Sequence, residues 1–171
     1  MEKKVTPPWT KGLVISLILI VYGLIMYFSG LWLNKSLSWI QSILLVVGII
    51  IADTGFAKQM DGNVTFGNVF AHGFKTTAAI IVIMVVYSFL AVKFIYPEMI
   101  DAIITQSKAD MDKKGNMSQD QIDQAVGMIR KFFIPFMIGG IVLMFGICGA
   151  IGSLIGAAVA KKNPNYTPLE Q

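Results

Sequence analysis

Few residues in this chain could do chemistry, and three of them converge. His72 is the only histidine. On a helix it shares one face with Lys75 and Thr76, three and four positions further on. Asp53 closes the preceding apolar stretch at the same expected depth. A carboxylate, an imidazole and an ammonium brought together could hold or pass a proton, and histidine is the side chain that titrates nearest neutrality. Ionisable groups in or beside membrane-spanning segments are costly, so they are default candidates for function. Asp53, His72 and Lys75 are therefore the candidate polar cluster, and the expected contact is Asp53–His72 or Asp53–Lys75. The plainer and weightier reading is anchoring: at a membrane interface lysine snorkels, aspartate meets water, and either can cap a helix.

The rest of the inventory excludes more than it offers. Cys148, the only cysteine, cannot form an internal disulfide and reads as a small packing residue. One histidine, one cysteine and no carboxylate cluster within the apolar runs leave no metal-ligand set and no nucleophile with its base. Gly62 and Gly67 lack the lysine and the strand of a phosphate-binding loop. The expectation is a non-enzyme with no catalytic residue, no cofactor and no metal.

The elements that must position the polar cluster are apolar helices. Of 171 residues, 55% are hydrophobic and 14% charged, and the mean hydropathy is +0.67. A soluble domain carries about 25% charge. Uncharged or nearly uncharged runs cover residues 12–33, 37–52, 76–92 and 132–160. Read as spans, they extend over about 12–33, 37–56, 66–95 and 132–160, the first and last being longer than the roughly 20 residues a bilayer requires. The second reaches full length only with Asp53 near the headgroups, and Pro135 predicts a kink in the fourth. The first run is too long for a signal-peptide core, which is about 7–15 residues, and ends in Trp32-Leu33-Asn34-Lys35 without a small-residue cleavage site, so it reads as a retained helix. The expected fold class is an all-α membrane protein in a single domain, residues 1–171, with four transmembrane helices and an extramembrane helical hairpin, residues 97–131, between the third and fourth.

Trp32 and Trp39 bracket one short turn and Trp9 precedes the first span, as interfacial belts require. Four spans put both termini on one side. Lysines and arginines divide evenly, seven to each side, but Lys3, Lys4 and Lys11 precede the first helix against Lys35 just after it. The expectation is a bacterial inner (cytoplasmic) membrane with both termini cytoplasmic. The net charge of +4 suits the lipid bilayer better than nucleic acid.

In the polar segment, Ile100, Ile103, Ile104, Ser107 and Met111 form one helical face. Pro97 and Glu98 fit a helix start, Lys114-Gly115-Asn116 a stop and turn, and Ser118-Gln119-Asp120-Gln121 a capping box. Ile122, Val126 and Ile129 stripe the next arm. Six acids and five bases mark this as a solvated helix pair or a docking element.

Small residues recur at helical spacing. Ser16, Gly23, Tyr27 and Gly30 line the first span, and Gln41, Gly48, Ala52 and Gly55 the second. The fourth carries the densest series: Gly146, Gly149, Ala150, Gly152, Ser153, Gly156, Ala157 and Ala160. In lipid such stripes let helices approach closely. They are expected to pack the bundle, and the sharper alternative is a homodimer seam.

Asp61-Gly62 signals a turn and Thr65 a cap for the helix that starts at Phe66. The run Asp61-Gly62-x-Val64-Thr65-Phe66-Gly67-x-x-Phe70-x-x-Gly73-Phe74 resembles the loop-to-helix signature of small bacterial membrane proteins classed as domain of unknown function 4199. Lys93-Phe94-Ile95-x-Pro97-Glu98-Met99-Ile100 and Met117-Ser118-x-x-Gln121-Ile122 continue the likeness over nearly the whole chain. The resemblance implies a four-pass inner-membrane protein and carries no catalytic residue with it. The function expected is a non-enzymatic assembly or accessory membrane protein, paired with itself or with another membrane protein. The alternative is a small transporter or channel component, for which Ser16, Gln41, Ser88 and Ser153 are weak pore material.

Overall fold

The helices end where local chemistry ends them. In a computed structural model, the described residues are 5–115, 118–164 and 166, without the side chains of Lys35 and Lys114. Lys3, Lys4, Asn116 and Met117, invoked above for charge and turn, lie outside them. The described residues form α1 (Pro8–Phe28), α2 (Lys35–Gln59), α3 (Phe66–Leu90), a π-helical turn (Ala91–Ile95), α4 (Met99–Lys114) and α5 (Gln119–Val159), with no strand among them.

The first apolar run is helical over Pro8–Phe28, earlier at both ends than 12–33. Pro8 occupies the first helical position after an extended Pro7. Gly30 takes φ +72° and lets Leu31 N–H reach back to Met26 C=O at 3.0 Å, which closes the last turn. Trp32 and Leu33 consequently fall in the connector. Asn34 caps α2 by accepting from Ser36 N–H at 3.0 Å. Thr65 caps α3 by accepting from Asn68 N–H at 3.1 Å. Ser118 and Gln121 form the reciprocal capping box of α5, at 2.9 and 3.4 Å. Gly115, at φ +64°, stops α4. α4 starts at Met99 rather than at Pro97, because Met99 N–H turns back to Tyr96 C=O. α5 continues through Pro135. Four helical stretches, Pro8–Phe28, Ser36–Gln59, Phe66–Ile95 and Gln119–Val159, are long and apolar enough to cross a membrane.

Two compact units share these helices. The first comprises residues 1–84 and 142–171. Its core holds Leu19, Leu45, Ile49 and Ile80. A Cβ on Gly48 of α2 would lie 3.2 Å from Ile15 of α1, and one on Gly152 of α5 would lie 3.2 Å from Ile49 of α2. The small-residue stripe of α5 therefore faces its own bundle: Gly149, Gly152, Ser153, Gly156, Ala157 and Ala160 are buried. Ala150 is half-buried, and Gly146 meets nothing within 4 Å of its missing Cβ.

One end of this unit is tied by polar contacts. Thr6 and Gln59 exchange hydrogen bonds of 3.0 and 3.1 Å. Asn163 N–H donates to Gly62 C=O at 2.8 Å, and its side chain reaches Asn63. Lys162 donates to the Ala157 carbonyl at 2.7 Å, as a cation at a helix C-terminus should. Described residues near both chain ends thus meet the α2–α3 turn.

The second unit comprises residues 85–141. The Tyr87 and Tyr96 hydroxyls hydrogen-bond at 2.7 Å across the π turn. Arg130 donates to Asp101 at 2.7 Å, Lys108 to Asp123 at 3.0 Å, and Gln119 to Asp112 at 3.2 Å. As numbers rise along α4 they fall along α5, so the two helices pair antiparallel here, with Ile104 and Ile122 buried. The Asp123 hydrogen bond, and then its charge, hold the Lys108 ammonium above the usual lysine value.

Candidate functional site

The best candidate lies inside the first unit, where α2, α3 and α5 meet. Asp53 sits six residues before the end of α2 and is fully buried; His72 sits in the second turn of α3 and is 4% exposed. His72 Nδ1 lies 2.9 Å from Asp53 Oδ1. With Asp53 ionised, Nδ1–H donates; with Asp53 protonated, Nδ1 accepts. Either way one proton is shared between two groups shut off from water. Asp53 Oδ2 and His72 Nε2 have no hydrogen-bond partner among the described residues.

Neighbours define the space. The Phe56 ring stacks on the imidazole, with centroids 4.3 Å apart and planes 10° apart. Lys11 of α1 lies over the same Phe56 ring at 5.6 Å and donates to the Ala52 carbonyl at 3.1 Å. Its charge attracts the Asp53 carboxylate through space. Glycines make room for the carboxyl. A Cβ on Gly156 would fall 2.7 Å from Asp53 Oδ2, and one on Gly73 would collide with Asp53 and lie 2.6 Å from Ser153 Oγ. The hydroxyls nearby are spent on their own helices: Thr76, Thr77 and Ser153 each donate to the carbonyl four residues back, at 2.8–2.9 Å.

The structure brings Asp53 and His72 together and leaves Lys75 exposed on α3. The cation near the pair is Lys11, which sequence reasoning placed only in the flank of the first helix. Burial of Asp53 departs from the picture of a carboxylate meeting water at an interface. Phe56, Gly73, Gly156 and Ser153 were legible only as apolar or small residues. No third His, Cys, Asp or Glu joins the pair among the described residues. Cys148 is free and half-buried.

The class defined is an all-helical protein with four membrane-length apolar helices and a buried Asp–His pair. The chain belongs to the family described as protein of unknown function (DUF4199), whose match covers residues 10–162. No curated protein and no solved structure matches it.

Proposed function

We propose that this chain is a multi-pass integral protein of a bacterial inner membrane that serves a non-enzymatic assembly or accessory role. The observation that carries the membrane reading is the inverted polarity of the first unit. Val21, Ile25, Ile51, Val82 and Leu143 point outward with more than half their surface exposed, while Ser16, Asp53, His72, Thr76 and Ser153 are buried. Lipid accepts such a surface and water does not.

α1, α2, α3 and α5 are the spans. The shared end, with Lys11, Lys58, Lys161 and Lys162, is the cytoplasmic one. Three of the spans precede α4 in the chain. At 1.5 Å per residue, the 41 residues of α5 run about 61 Å, twice a hydrocarbon core of about 30 Å. Its polar first turns and α4 then form an extramembrane hairpin suited to docking another membrane protein or a second copy. Close packing of the Asp53 carboxyl against Gly73 and Gly156 supports a fixed interhelical tie. The unpartnered Asp53 Oδ2 and His72 Nε2 favour a second reading, a small proton- or ion-coupled transporter component.

Alkaline extraction should leave the protein in the membrane pellet. Purification from native membranes should retain a stoichiometric partner or a homo-oligomer that is lost when residues 100–128 are deleted. A monomer without partners that moves protons into proteoliposomes would replace the accessory reading with the transporter.

A further inference from the structure

A groove of about 250 Å³ runs between α1 and α2. Val14, Ile15, Gly48, Ile51, Ala52 and Gly55 line its length, and Thr6, Thr10 and Lys11 stand at one end. Its lining beyond the polar end is apolar; Gly48 lets Ile15 of α1 come within 3.2 Å of where a Cβ would stand, and Gly55 leaves open space where a side chain would fill the groove. Its polar end carries a positive charge. Lys11 spends one of its three donors on the Ala52 carbonyl. The first turn of α1 contains no acid, and the helix has no side-chain cap. Among the described residues no carboxylate lines the groove; Asp53, whose charge Lys11 feels, is fully buried outside that lining.

We infer that this groove holds one acyl chain of a bilayer phospholipid with an anionic headgroup, the headgroup resting on Lys11 and the Thr6 and Thr10 hydroxyls. The assignment rests on the membrane reading above and specifies one ligand of that surface. Charge complementarity selects an anion over a zwitterion. Size selects a chain over a helix: at about 30 Å³ per water-sized group the groove takes roughly eight such groups, whereas a helix with its side chains is about 10 Å across. Direction also agrees. Lys11 lies in the first turn of α1, at headgroup depth, and Val14, Ile15, Ile51 and Gly48 follow towards the bilayer interior.

The test is competition between phosphatidylglycerol and phosphatidylcholine for the full chain in detergent, read by native mass spectrometry. One lysine near the surface is worth about 1 kcal/mol, or roughly fivefold, in preference for the anionic lipid. Wild type should show that preference. Gly55→Leu, at a position with nothing within 4 Å of the new Cβ, should block the chain and lower retention of both lipids. Ile51→Trp should do the same one turn earlier on the α2 lip. Lys11→Gln should keep chain binding and lose the preference. Equal binding of both lipids by wild type, or Gly55→Leu and Ile51→Trp variants that keep helical content and still retain phosphatidylglycerol, would overturn the site. Inorganic phosphate that displaces neither lipid supports a lipid headgroup as the ligand; displacement by phosphate alone overturns the chain's part in binding. Alkaline extraction separates the two ideas: retention in the pellet without lipid preference removes only the groove's ligand, and release from the pellet removes both.

Discussion

His72 Nδ1 and Asp53 Oδ1 meet at 2.9 Å between α3 and α2, and the other polar atom of each side chain is buried without a partner among the described residues. In a water-soluble core, breaking such a pair costs about 3–5 kcal/mol. In lipid the reference state also finds partners, and interhelical hydrogen bonds are worth about 0.6 kcal/mol on average. A fully buried contact between two ionisable side chains is expected to lie above that average.

Asp53→Ala should therefore destabilise the protein by about 1–2 kcal/mol. Asp53→Asn, which keeps an oxygen facing Nδ1–H, should cost less. In a double-mutant cycle with His72→Ala, measured by unfolding in detergent, the two losses should be less than additive. Additive losses would show that the contact carries no energy.

Gly73 and Gly156 bracket the same carboxyl. Gly73→Ala would drive a methyl into Asp53 and Ser153, and overpacking costs about 1–3 kcal/mol. Gly156→Ala meets Asp53 Oδ2 at 2.7 Å and should cost somewhat less. Gly139, in the interior of α5, meets nothing within 4 Å, so Gly139→Ala should gain about 0.5–1 kcal/mol from backbone entropy alone. Thermal midpoints of the three variants test the order; a harmless Gly73→Ala would break it.

Periodicity and capping chemistry are local, and they were legible. Thr65, Gly115 and the Ser118–Gln121 box sit where the sequence places them. The αL glycine that ends α1 at Phe28 was missed because hydropathy continues through Leu31 and Leu33. The reach of Lys11 to the Ala52 carbonyl beside Asp53 was not readable, because it depends on how α1 packs beside α2, and no spacing within one helix encodes that. The α5 stripe was legible as small residues, but its partners, Ile49, Asp53 and Thr77, emerge only with the bundle.

Ser16 is fully buried in α1, and its hydroxyl has no partner among the described residues. An unpaired buried hydroxyl carries its desolvation cost with no return. Ser16→Ala should stabilise the protein by about 1 kcal/mol, read as a higher midpoint in detergent. A drop of similar size would reveal a partner for the hydroxyl, such as an ordered water.

Lys108 and Asp123 pair at the surface, with side chains 43% and 65% exposed, so their contribution is small and screened. The lysine value is raised by its hydrogen bond to Asp123 and by that residue's charge. A raised value means that the folded state holds the proton more tightly than the unfolded chain. The stabilisation is then complete below the ordinary lysine value of 10.5 and is lost as pH climbs through the higher folded value. The difference in thermal midpoint between wild type and Lys108→Met should accordingly be flat across neutral pH and fade in strong alkali. Salt of about 1 M, where screening reaches down to about 3 Å, should shrink it at neutral pH. A difference that survives both alkali and salt would mean that Lys108 acts through its aliphatic stem rather than its charge.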